Sequence, residues 1–271
     1  MLVSAFEGWN DAGDAASTAV RYLAAAWSAR PFASIDPEEF YDFTSTRPQV
    51  RLIDGLTRQI DWPTNGLSAA PLPGRSHDVV FLIGVEPQLR WKRFCANVVG
   101  VAKELGVELV VSLGALLADV PHTLPVRVTG TAADEELVRR LSLERSRYEG
   151  PTGIVGVLHD AFRQAEVPSA SLWAAVPHYI AQTPSPKATL ALVQRAASLL
   201  GSSVETTDLE IAAASYERQV SEVVAGDEDV ADYVRRLEEA YEEGDREPRL
   251  QMLSGDALAD EVERFLRDQG G

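Results

Sequence analysis

Apolar residues in this chain come in two spacings, and the two alternate. Short apolar runs, Leu2–Phe6, Val79–Ile83, Val107–Leu113 and Ser171–Val176, have the length of strands, and Val107–Leu113 is apolar and β-branched as a buried parallel strand should be. Between them lie stretches with apolar positions three and four residues apart. Asp14–Ala29 is alanine-rich, and Arg90–Leu105 places Trp91, Phe94, Cys95, Val98, Ala102 and Leu105 on one helical face. Thr152–Ala165 and Pro186–Leu200 are further predicted helices. Phe40–Phe43, Val50–Ile53 and Thr57–Trp62 read as strands, with Asp54-Gly55 as a hairpin turn between the last two. Strand–helix alternation of this kind predicts an α/β fold with much parallel sheet.

The pattern changes near Glu205. Thr207–Ala225, Asp229–Glu243 and Ser254–Gln269 read as amphipathic helices, one striped by Val230, Tyr233, Val234, Leu237 and Tyr241 and another by Leu258, Val262, Phe265 and Leu266. Such stripes need a surface to bury against. Gly226 and Gly244–Pro248 are the candidate hinges. Charge marks the same boundary: residues 205–271 hold 20 acidic and 7 basic side chains, a net of −13 out of −16 for the whole chain. The expected division is an α/β domain over 1–204 and an acidic helical extension over 205–271.

That net charge disfavours nucleic acid and anionic membranes as partners. No apolar run is long enough to cross a bilayer and no basic-then-apolar leader opens the chain, so a cytoplasmic location is expected. The single cysteine, Cys95, excludes an intramolecular disulfide and lies on a core-facing helical position, where a reactive thiol is not expected.

Candidate chemistry gathers where the apolar strands end, which is where open α/β sheets bind ligands. The densest turn is Phe6-Glu7-Gly8-Trp9-Asn10-Asp11-Ala12-Gly13-Asp14. Glu86 follows the Val79–Ile83 strand, Asp119 and His122 follow Val107–Leu113, and His178 follows Ser171–Val176. If those strands are parallel neighbours, Glu7, Trp9, Asn10, Asp11, Glu86, Asp119, His122 and His178 line a binding pocket at one sheet edge. The plainer account has Asp11 or Asp14 capping a helix and the histidines bonding turn backbone. Gly150-Pro151-Thr152-Gly153 with Gly156 resembles a phosphate loop but lacks the lysine; a helix start with Thr152 as N-cap fits better. No catalytic triad, dinucleotide fingerprint or metal-ligand spacing is present, so neither a catalytic residue nor a metal or other cofactor is assigned.

Read together, Phe6–Ala16, Ile83-Gly84-Val85-Glu86-Pro87, Ser112-Leu113-Gly114-Ala115 and Gly150–Gly156 resemble the proteasome assembly chaperone family, in its second-chaperone branch. Phe40-Tyr41-Asp42-Phe43 with Thr46-Arg47-Pro48, and the acidic helices, are similar to the actinobacterial members. The likeness spans roughly residues 1 to 200. It implies a three-layer α/β/α domain of the phosphorylase/hydrolase-like type, akin to nucleoside phosphorylases, and a homo-oligomer with a trimer favoured. It further implies a non-catalytic binding or assembly role with a proteasome-related protein as partner. Some members end in a hydrophobic-Tyr-any tail, whereas this sequence ends Arg267-Asp268-Gln269-Gly270-Gly271, so docking by that route is not expected. Relatives have several residues before the first strand, which suggests a late start or a shortened strand here. The alternative is an enzyme of nucleoside phosphorylase or hydrolase type using carboxylates and histidines at the strand ends.

Overall fold

The structure is a computed structural model and describes residues 1–145, 148–181 and 183–243. Strand β1 (Leu2–Glu7) is apolar and buried along nearly its whole length, as a strand flanked on both sides must be. It lies between β6 (Asp78–Val85) and β7 (Val110–Ala118), parallel to both, and β7 pairs in parallel with β9 (Ser169–Pro177). Antiparallel strands finish the sheet: β5 (Asn65–Pro71) then β2 (Arg30–Ile35) on one side, and β8 (Val128–Ala132) on the other. The order is β2-β5-β6-β1-β7-β9-β8. The remaining pair, β3 (Gln49–Ile53) and β4 (Thr57–Asp61), forms a separate hairpin.

Helices cover both faces, giving the expected three layers. On one face α1 (Ala15–Ala26) and α5 (Pro186–Leu200) enclose a core with Val3, Ala5, Leu23, Phe81, Leu113, Leu172 and Val193. On the other, α2 (Trp91–Glu104) and α4 (Ile154–Gln164) enclose Leu2, Phe6, Leu82, Phe94, Val110, Leu158 and Phe162. Odd and even residues of β1 feed opposite cores because side chains alternate across a strand. Phe94 packs edge-to-face with both Phe6 and Phe40 at centroid distances of 5.9 and 5.5 Å. Cys95 is buried there, and burial raises its thiol pKa to about 11.

Local chemistry sets the ends of α5. Ser185 accepts a hydrogen bond from the Ala188 N–H, Pro186 opens the helix, and Gly201 closes it in the left-handed region. A short helix α3 (Glu135–Leu141) is capped by Asp134, which accepts from the Leu137 N–H at 2.9 Å.

Four elements escape the sequence reading: β2, β5, β8 and α3. One expectation is wrong in kind: Phe40–Phe43 is no strand. A 3-10 turn at Pro37–Glu39 leads into a loop in which the Asp42 carboxylate accepts from the Thr44 N–H, the Thr44 hydroxyl and the Ser45 hydroxyl. Those side-chain bonds replace ladder bonds, while the Phe40 ring turns into the core. By contrast Asp54 and Gly55, both at positive φ, make the expected hairpin turn between β3 and β4.

The expected helices over Thr207–Ala225 and Asp229–Glu243 are present as α6 (Thr207–Ala225) and α7 (Glu228–Glu243). Helix α6 packs on α5, and Tyr216, Val220, Val224 and Val234 form a third apolar cluster with Tyr179 and Ile180. The hinge at Gly226 joins α6 to α7. The expected helix over Ser254–Gln269, its stripe of Leu258, Val262, Phe265 and Leu266, and the hinge at Gly244–Pro248 lie outside the described residues.

Candidate functional site

All four parallel strands present their carboxyl ends at one edge of the sheet, so the eight candidate side chains do start from the same rim. They do not meet in one pocket. Direction of projection separates them into distinct arrangements.

The first is a joint between two strand-end turns and a helix. Glu86 Oε1 accepts from the Asn10 amide at 3.1 Å and from the Ile154 N–H, the first of α4, at 2.7 Å. A carboxylate at this position satisfies a free helix donor and complements the positive end of the helix dipole. Gly153 makes the approach feasible, because a Cβ there would collide with both Asn10 and Glu86. Thr152 is therefore not the cap that the sequence suggests: Gly153 holds that position and makes no side-chain cap bond. The helix start that resembled a phosphate loop already carries a carboxylate from elsewhere in the chain.

Asp11 follows directly but turns to the opposite layer. Its Oδ1 accepts from the Ala16 and Ser17 N–H groups at 2.7 and 3.1 Å, so it caps the start of α1 from outside the helix. Burial raises its pKa, opposed by the hydrogen bonds from Ser17 and Ala16, and Oδ2 is buried with no partner among the described residues. Backbone contacts fix this turn to the next strand: Ala115 N–H donates to the Asn10 carbonyl at 2.8 Å. Glu7, on the α1 face, pairs with Arg21 and borders a different cleft. Glu7 and Glu86 are adjacent in backbone, with Glu86 N–H donating to the Glu7 carbonyl at 2.9 Å, yet their carboxylates diverge.

Asp119, His122 and His178 lie under the acidic helices. Tyr233 of α7 donates to Asp119 at 3.1 Å, and His178 Nδ1 is 3.1 Å from the same carboxylate oxygen. His122 bonds the Tyr179 hydroxyl through its Nδ1 at 2.8 Å and Ser221 of α6 through its Nε2 at 3.0 Å. Lys187 donates to the His122 carbonyl at 2.6 Å and pairs with Glu217 of α6, while Thr123 bonds Glu238 of α7. Burial lowers the His122 pKa, with Lys187 adding to the effect and the Glu217 and Glu238 carboxylates opposing it. Burial likewise raises Tyr179 to about 12 and raises Tyr233, the latter further through Asp119. The Arg127 guanidinium stacks on Tyr241, whose hydroxyl reaches the Pro125 carbonyl at 3.0 Å. These groups fasten helices.

Trp9 has a separate surrounding. With Asn10 it borders a cavity of about 480 Å³ between α4 and the β8–β9 side of the sheet. Trp173, Tyr148, Arg145, Arg163 and His159 line it, none of them anticipated from the sequence. Burial depresses the His159 pKa to about 4, and its Nε2 is buried with no partner among the described residues. The available signal was Ser169-Ala170-Ser171-Leu172-Trp173, a polar alternation inside an otherwise apolar strand. Gly114, opposite Trp173 on β7, leaves the space that the indole fills.

The PAC2 family model matches residues 5–224 of this chain. The chain belongs to the PAC2 family. The match takes in the strand-end turns, the Glu86 joint and most of α6. Among solved structures, a Mycobacterium tuberculosis proteasome-assembly chaperone homologue is 48% identical with a TM-score of 0.79, covering 86% of this PAC2 chain and 99% of its own. A PAC2 family protein from Streptomyces avermitilis is also 48% identical, with a TM-score of 0.79 and coverage of 86% and 98%. PbaB of Pyrococcus furiosus, an archaeal proteasome activator, shares the fold at 16% identity, with a TM-score of 0.65 over 82% of this chain and 92% of its own. No curated protein matches. Among the described residues, no helix is long and apolar enough to cross a membrane.

Proposed function

We propose that this PAC2 chain is a non-catalytic binding or assembly protein that acts as a homo-oligomer, with a trimer favoured, on a proteasome-related partner. The observation that carries the reading is the use to which the strand-end polar groups are put. Asn10 with Glu86, Asp11, and Asp119 with His122 and His178 each hold one helix or helix pair in place. An enzyme of phosphorylase or hydrolase type would need several of them facing one cavity, and their side chains diverge. Support for the partner comes from the kinship with a proteasome-assembly chaperone homologue. The extension over 205–271 is the acidic part of the same machine, whose helices α6 and α7 close over the Asp119–His122 rim. Native mass spectrometry of the purified chain mixed with proteasome core subunits tests the proposal. Complexes of several copies with those subunits are expected; free components alone would refute it.

A further inference from the structure

Among the described residues, β3 and β4 pair only with each other, and along both strands every residue except Asp61 is exposed. The hairpin has two unlike faces. Val50 stands opposite Ile60 and Leu52 opposite Arg58, which puts Val50, Leu52 and Ile60 on one face. Gln49, Arg51, Ile53, Thr57, Gln59 and Asp61 occupy the other, mainly polar face, where Arg51 and Asp61 form an ion pair at 3.0 Å, and Arg58 borders the apolar one. Leu56, at the tip, is 87% exposed. A lone two-stranded hairpin is marginal in water, and a contiguous apolar surface on a free chain marks an interaction site.

We infer that this hairpin is an arm that grips a second copy of the chain, its apolar face seated in the neighbour's cleft at the base of that neighbour's own arm. The inference rests on the homo-oligomer reading and names its contact. Three features select another copy as the occupant.

Charge is the first. The whole chain carries −16, so copies repel over most of their surface, but Gln49–Asp61 holds two arginines and two aspartates and is neutral. Area is the second. The exposed parts of Val50, Leu52, Leu56 and Ile60 come to on the order of 450 Å², about half of the share that one partner contributes to a stable protein–protein contact, and Phe32 and Trp62 in the recess offer about 200 Å² more on the receiving side. The third is a matching recess: a cleft of about 1000 Å³ lies beside the arm's base, floored by β2, β5 and β6 where α1 leaves the sheet uncovered. Phe32 and Trp62 supply its apolar walls, and among the described residues β2 is an edge strand of the sheet. Knob and recess on one surface are the requirement for contacts that repeat around a closed ring.

The test is light scattering on the full chain at micromolar concentration, comparing the natural sequence with V50D/L52D. The expected result is a multiple of the single-chain mass for the natural chain and the mass of one chain for the variant, with unchanged circular dichroism. A natural chain that is multimeric beside an equally multimeric, folded variant overturns the arm while leaving the oligomer reading standing. A natural chain of single mass overturns both. Should V50D/L52D fail to fold, co-expression of L56C and S34C chains decides. A disulfide between the two chains is expected if the tip enters the neighbour's cleft, and its absence refutes the inference.

Discussion

Replacing Glu86 by alanine removes one acceptor from two donors at once. The Ile154 N–H at the start of α4 and the Asn10 amide both lose their partner, at 2.7 and 3.1 Å respectively. A hydrogen bond to a charged group contributes about 1.5–3 kcal/mol, and the charge itself adds about 0.3–1 kcal/mol at a helix N-terminus. Glu86 is half-buried and water can reach part of the vacated site, so we expect the lower range, about 2–4 kcal/mol in all. For a chain of this size that is a fall in melting temperature of roughly 5–12 °C. Glu86→Gln keeps the acceptor oxygen and loses only the charge, so about 1 kcal/mol is expected. Combining Glu86→Ala with Asn10→Ala should be less destabilising than the sum of the two, because they break one shared bond. Chemical denaturation of the four proteins measures the cycle. A Glu86→Ala variant within about 0.5 kcal/mol of the natural chain would show that the joint contributes nothing, and the argument for a structural role would fall.

Three further predictions follow from the same geometry. Asp11→Ala should lower stability by about 1–2 kcal/mol through loss of the α1 cap while leaving oligomer mass unchanged; an altered mass with unchanged stability would contradict a capping role. His159 has a folded pKa of about 4 against 6.5 unfolded, so the unfolded ring takes its proton first as pH falls. Stability from this group is complete above pH 6.5 and declines between pH 6.5 and 4 by about 3 kcal/mol, a slope that His159→Gln should abolish in urea titrations at each pH. Helix α7 should shield Arg235 and Arg236 from trypsin in the free protein, since Tyr233 and Val234 between its turns are held to the body; cleavage there within minutes would mean that the helix is not docked.

Legibility in the sequence tracked burial. Strands β1, β6, β7 and β9 are buried on both faces over most of their length and read as mainly apolar runs, interrupted only by small residues such as Ser4, Ser112 and Ser171. Strands β2 and β8 sit at the edges, and β5 lies just inside one; Arg30-Pro31-Phe32-Ala33-Ser34-Ile35 and Val128-Thr129-Gly130-Thr131-Ala132 carry small and polar residues with little alternation. Their pairing depends on distant strands, which no local pattern encodes. The rim was legible as unusual, since Glu7, Asn10, Asp11 and Asp14 crowd one turn. Which way each side chain points was not, because Asn10 and Asp11 are neighbours that serve opposite layers. The stripe of Val230, Tyr233, Val234, Leu237 and Tyr241 announced that α7 must bury a face. Its destination over Asp119 and His178 depends on how the turn after β7 meets the one after β9.

The rim of an open α/β sheet is the usual place for a ligand because loops there are free to carry functional groups. In this chain those loops carry the polar fastenings of α1, α4, α6 and α7, so the helical layers are tied to the strands at that rim. What the fastenings leave unengaged is elsewhere: the β3–β4 arm with its cleft, and the cavity walled by Trp9 and Trp173. The division predicts separable behaviour. Substitutions in the rim should change folding stability with assembly intact below the melting range, whereas substitutions on the arm should change assembly with the body's stability intact. A rim variant such as Glu86→Gln that altered partner or self-association at full stability would place function back at the strand ends.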